Sequence, residues 1–208
     1  MKKLLLVSCI FLMAFVPSEK AQTEDQKLFK EFLNEFELIK LPYKFRCNRC
    51  LDCRNPMDRK QQKAFDTIKY KKFAPSNEGL HSIDYYKRFE TNDFHGLIFR
   101  YGGDDYFPVV VTYTKSGEKI AQNTLMAEGV GAGLDYSTET GIIYKDLTIF
   151  CADTMLVDYQ SDTTGKKKSN SYLLWVNTQK GRLLKNGNFQ MDSIIHTEKK
   201  WKKRKKKP

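Results

Sequence analysis

Cys47, Cys50 and Cys53 form a C-x2-C-x2-C run, and Cys151 is the only other cysteine after Cys9. Three thiols within seven residues can point at one centre if the loop that carries them curls. A fourth ligand then closes a tetrahedral site of the kind zinc favours, so Cys47, Cys50, Cys53 and Cys151 are a candidate metal set. The usual zinc layout is two C-x2-C knuckles, whereas here the partner is one cysteine roughly 100 residues downstream. The bacterial ferredoxin run would put its fourth cysteine at Met57 and its proline at Asp58, so an iron–sulfur reading fails at the ligand. Redox chemistry needs a thiolate, which Arg46, Arg49 and Arg54 would favour. No strand-then-helix context of thioredoxin type surrounds the motif, however.

The compartment decides among these fates. Lys2 and Lys3 precede an uncharged, largely apolar run from Leu4 to Val16, closed by Pro17 and Ser18. This is the pattern of a secretory signal peptide over 1–18, with Ala21 a second cleavage candidate; it is shorter than the about 20 residues of a membrane span. Leu6-Val7-Ser8-Cys9 looks like a lipobox, but most of the apolar stretch would then lie after the cut, so acylation of Cys9 is the lesser reading. An exported chain, periplasmic or secreted, makes the disulfide the default fate of cysteine. Disulfides therefore rank ahead of metal, and metal ahead of redox. The four cysteines leave three pairings open. A bond from Cys151 to the 47–53 loop would contribute roughly 4–5 kcal/mol in the chain-entropy model.

The net charge of +11 is unevenly placed. The signal carries two of the lysines, and 198–208 holds eight basic residues against one acid. Within the body, residues 40–72 hold eleven basic residues against three acids. Two basic patches on a nearly neutral body argue against a sequence-specific nucleic-acid binder. Lys199, Lys200, Trp201, Lys202, Lys203, Arg204, Lys205, Lys206 and Lys207 form a polybasic tail too highly charged to pack. Such a tail is expected to be disordered and to suit anionic envelope lipid or polysaccharide.

The remaining motifs are weak. His81, His95 and His196 are isolated, with no H-E-x-x-H pattern and no G-x-S-x-G elsewhere. Gly129-x-Gly131-x-Gly133 lacks the following helix that a phosphate loop needs, so it reads as a tight turn. Asp104, Asp105, Asp158 and Asp162 reproduce no EF-hand loop and read as turn acids.

These residues need elements to hold them. Thr23 with Gln26 predicts a capped helix whose stripe runs through Leu28, Phe29, Phe32, Leu33, Phe36 and Ile39 and ends at Leu41-Pro42. Residues 43–78 read as a basic, cysteine-bearing excursion with little core of its own and a weak helix over 57–70. From Asp93 the period becomes that of strands: 94–101, 106–114, 118–125, 142–151, 155–160, 172–178 and 189–195, punctuated by turns that include Lys180-Gly181. Short strands and tight turns mean antiparallel pairing. The expected fold is α+β, an N-terminal amphipathic helix packed on a meandering antiparallel sheet, as a single domain over 19–197. The fourteen Phe and eleven Tyr support a folded body, and no segment after the signal is apolar enough to span a membrane.

The signal, the Phe-rich helix ending in Leu41-Pro42-Tyr43, and the strands Tyr106-Phe107-Pro108-Val109-Val110-Val111 and Tyr144-Lys145-Asp146-Leu147-Thr148-Ile149 resemble small exported proteins of Bacteroidetes-type bacteria. That resemblance implies an envelope location and no particular activity. The expectation is a non-enzymatic binding or structural protein of the cell envelope. The alternative is a metal-binding or thiol-redox protein built on the cysteine run.

Overall fold

Thr23 starts the helix as its chemistry requires. Its Oγ1 accepts from the Gln26 N–H at 3.2 Å, and Gln26 Oε1 accepts the Thr23 N–H at 3.1 Å. Glu24 and Asp25 in the first turn and Lys30 in the last suit the helix dipole. The helix, α1, spans Glu24–Leu33 and is capped by Asn34. It ends sooner than the apolar stripe suggests, because Asn34, Glu35 and Phe36 close tight turns onto Glu31, Phe32 and Leu33 carbonyls. Phe36 still reaches the same core from that turn, which is why the periodicity ran past the helix.

The computed structural model describes residues 23–48, 63–76, 82–102, 106–128, 136–158 and 171–202. The signal region, Cys50, Cys53, His81 and the glycines at 129–133 lie outside them, as do Asp104, Asp105, Asp162 and 203–208. The strands are β1 (Glu37–Leu38), β2 (Tyr43–Asn48), β3 (Lys63–Ala64), β4 (Ser82–Glu90), β5 (Phe94–Gly102) and β6 (Tyr106–Thr114). They continue as β7 (Lys119–Thr124), β8 (Tyr136–Ile143), β9 (Thr148–Asp158), β10 (Ser171–Leu183), β11 (Phe189–Met191) and β12 (Ile195–Lys202).

The strands form two sheets rather than one meander. The first runs β1-β4-β5-β6-β7, with β3 also on β4; the second runs β11-β10-β9-β8-β2, with β12 also on β10. Every pairing is antiparallel except β1 with β4. The fold is thus α+β and mostly sheet.

Alternation along β5 and β6 sorts the core into two. Leu97, Phe99, Tyr101, Val109, Val111 and Tyr113 share one buried cluster with Phe29, Phe32, Leu33 and Phe36. The Phe29 ring lies 5.6 Å from Tyr113 and 5.1 Å from Phe73. The opposite face gives Ile98 and Val110 to a second cluster with Ile143, Ile149, Cys151 and Leu183 of the second sheet. The two sheets therefore meet through the second cluster. Thr112 Oγ1 ties them directly, donating to the Gly187 carbonyl at 2.7 Å.

Several expectations change. The stretch 43–78 opens as β2 and gives Phe65, Tyr70 and Phe73 to the first cluster. Tyrosines anchor it: Tyr113 Oη donates to Phe73 O at 2.5 Å, and Tyr101 Oη to Ser76 O at 3.0 Å. In 63–70 the chain is strand and turn rather than helix, and 57–62 lies outside the described residues. Residues 142–151 are the two arms of a hairpin, while Lys180 and Gly181 sit inside β10.

Three hairpins repeat one turn. In each, the fourth loop residue donates its N–H to the first carbonyl: Gly117 to Thr114, Leu147 to Tyr144, Gly187 to Leu184. In each, the first also donates to the fifth: Thr114 to Glu118, Tyr144 to Thr148, Leu184 to Asn188. The fourth position has φ of 98°, 67° and 84° respectively, so two of the three carry glycine and one carries leucine.

Candidate functional site

The strand register of the second sheet draws one row of polar side chains across it. Cys47 on β2 faces Glu139 on β8, Glu139 faces Asp153 on β9, Asp153 faces Asn177 on β10, and Asn177 faces His196 on β12. The row lies on the inner face, since Cys151 and Ile149 of the second cluster are two and four residues from Asp153 on the same strand. Glu139, Asp153 and Asn177 are all buried. Buried carboxylates and amides persist only when hydrogen-bonded. Here the Glu128 N–H donates to Asp153 Oδ2 at 2.7 Å, and Asn177 Nδ2 donates to Glu128 Oε2 at 2.6 Å. That contact turns Asn177 Oδ1 toward His196 Nδ1, 2.6 Å away. An amide oxygen accepts, so His196 carries its proton on Nδ1. Nε2 then stands 3.4 Å from Glu198 Oε1, two residues along the same strand. An imidazole held this way can take a proton or a ligand at Nε2.

The segment that roofs the row depends on a missing side chain. A Cβ on Gly141 would stand 2.4 Å from the Leu125 carbonyl oxygen, so only glycine lets Leu125–Glu128 approach β8. Next to the row, Ser137 Oγ and Trp175 Nε1 are buried with no hydrogen-bond partner among the described residues.

Cys151 is a free, fully buried thiol. Burial first, and then the charge of Asp153, push its pKa up to about 12. It is neutral and shielded at physiological pH. Cys47 cannot reach it: Cys151 faces Gly141 while Cys47 faces Glu139, with β8 lying between their strands. Two strand spacings put their backbones roughly 10 Å apart, beyond the about 7 Å a disulfide spans. A Cys47–Cys151 staple is therefore ruled out, while Cys50 and Cys53 lie outside the described residues. Among the described residues, no group of three or more His, Cys, Asp or Glu is placed to hold a metal ion.

The other histidine among the described residues is not part of this row. His95 is buried in β5 with its ring 5.8 Å from Phe29. Burial lowers its pKa, Lys115 and Arg88 add to that, and Glu90 opposes them.

The basic tail begins as structure. Leu174 faces Lys199 and Leu173 faces Lys200, so the chain pairs with β10 as far as Lys202 instead of becoming mobile at Glu198. An edge strand leaves its side chains in water, so lysine can occupy it. Outward positions of the second sheet carry Lys44, Arg46, Lys180, Arg182 and Lys199, with Asp146 near Arg182 and Asp192 near Lys180 on the same side. Inward positions carry Glu139, Asp153 and Glu198, with Lys200 two residues beyond Glu198 on β12. Among the described side chains, acids thus predominate on the inner face and cations on the outer. On the outer side, Thr148, Lys180, Gly181, Arg182, Gln190 and Asp192 line an open depression of about 270 Å³.

The polar row was missed in the sequence because its members come from five strands and from the segment after β7. Its only local signal was polarity at an inward position, as with Asp153 between Cys151 and Met155. The architecture is an α+β body of two sheets with charge divided between the faces of the second. Comparison with protein-family models, curated proteins and solved structures finds no match to this chain.

Proposed function

We propose that this chain is an exported, non-enzymatic protein of the cell envelope that attaches to anionic material through β12 and the basic residues after it. One helix and the first sheet form the stable backing, and the second sheet presents the charge. The carrying observation is the outer face of that sheet: five cations stand at outward strand positions, with Asp146 and Asp192 as the acids beside Lys180 and Arg182. Basic side chains near an anionic surface contribute about 1 kcal/mol each and act together. A neutral, buried Cys151 argues against a four-cysteine metal or redox centre.

The test is retention of the mature protein on envelope fragments at low salt. Replacing Lys203, Arg204, Lys205, Lys206 and Lys207 with glutamine removes charge beyond β12. Retention is expected to fall at least tenfold and, in the parent, to decline steeply with salt. Retention that ignores both changes overturns the reading.

A further inference from the structure

We infer that the depression between β9, β10 and β11 binds one acidic sugar unit of an anionic polysaccharide, with Lys180 and Arg182 taking the carboxylate. The inference rests on the envelope-attachment reading and names its partner. Lys180 and Arg182 stand two residues apart on β10 and so share its outer face. Thr148 faces Arg182 from β9, and Gln190 faces it from β11. Asp192 closes the rim, its backbone N–H donating to Lys180 O at 2.9 Å.

The mixture of groups chooses the ligand. Two cations alone would suit any phosphate or lipid headgroup. Asp192 disfavours a phosphodiester with no free hydroxyl, because a carboxylate repels it and receives no hydrogen bond in return. A uronic acid carries both features: one carboxylate for the cations, and ring hydroxyls that donate to Asp192 and to Thr148 Oγ1 and exchange hydrogen bonds with Gln190. The Thr148 hydroxyl's own proton goes to Asp146 at 2.7 Å. The volume of about 270 Å³ lies just under the roughly 300–1,000 Å³ of drug-sized sites, which fits a single sugar ring. The depression is open, so a polymer can continue across the sheet. There Lys44 and Arg46 on β2 and Lys199 on β12 offer further cations.

The experiment is titration of the full mature chain with a galacturonate trimer, a neutral galactose trimer and inorganic phosphate. The galacturonate trimer is expected to bind at least tenfold more tightly than the other two. Lys180→Gln with Arg182→Gln should lower that affinity at least tenfold at an unchanged thermal midpoint. Asp192→Asn is the deciding variant: it weakens binding severalfold if the acid holds sugar hydroxyls, and strengthens it if only charge matters. Strengthening, or equal binding of phosphate, overturns the inference. The variant with glutamine at 203–207 should keep its trimer affinity. Trimer binding that is absent, or lost with those five charges, overturns the inference, while retention on envelope fragments still decides the attachment reading.

Discussion

Thr112 Oγ1 and Gly187 O, 75 residues apart in the chain, share a buried hydrogen bond of 2.7 Å that joins the two sheets. The hydroxyl is also 3.3 Å from Ala121 O, but its one proton is better placed toward Gly187. Thr112→Val keeps the shape and orphans that carbonyl, at a cost of about 1–3 kcal/mol. Thermal unfolding should show a fall of roughly 2–4 °C for each kcal/mol in a chain of this size. An unchanged midpoint would mean the sheets are joined by apolar contact alone.

The three repeated turns should respond unequally to substitution. At Gly117 a Cβ would stand 2.6 Å from Phe29 Cγ, and at Gly187 it would stand 2.7 Å from Ile120 Cδ1. Both also have positive φ. Gly117→Ala and Gly187→Ala should each cost about 2–4 kcal/mol, combining left-handed strain with overpacking. Leu147→Gly relieves about 1 kcal/mol of strain and loses a similar amount of half-buried packing, so its net change should stay within about 1 kcal/mol. Urea midpoints of the three variants check the order.

His95 gives the fold an acid limit. Its folded pKa is lowered, so the unfolded chain takes the proton first as pH falls through 6.5. The stabilisation is present above that pH and is lost progressively below it, until the folded pKa is reached. His95→Gln should flatten the decline in urea midpoint between pH 7.5 and pH 5 relative to the parent. Parallel curves would defeat this account.

Cys151 sets an alkaline limit. Its pKa, raised from 9.0 to about 12, means that the unfolded chain ionises first and stability falls as pH rises above 9. Tyr85, pushed up to about 12 mainly by burial, acts in the same direction above pH 10. In the native protein at pH 8, alkylation mapped by peptide mass should spare Cys151 and reach it only in denaturant. Native labelling at the rate of an exposed thiol would contradict the burial.

How far the chain could be read depended on whether a feature was local. Thr23 and Gln26 announced the helix start because a capping box is made within one turn. The turns at Gly117 and Gly187 were visible because glycine marks the left-handed position. The equivalent turn at Leu147 was not, and residues 142–151 therefore read as one strand. The Ile83–Phe89 strand was obscured by the charged Asp84, Lys87 and Arg88 at positions where a half-buried strand shows alternation. The line from Glu139 through Asp153 and Asn177 to His196 is a property of register, and register comes from pairing partners far apart in sequence. Lys180 with Gly181 looked like turn punctuation until the 13-residue length of β10 put Lys180 on one face with Arg182.

The cations at outward positions of the second sheet, with the carboxylates of the polar row on its other face, give that sheet an uneven charge along its normal. Near a negatively charged layer it experiences a torque before it makes any contact. That torque turns the cationic side downward and carries the carboxylates, the first sheet and α1 away from the layer. Adsorbed molecules would then share one heading, and α1 would be the part each of them shows to whatever approaches from outside.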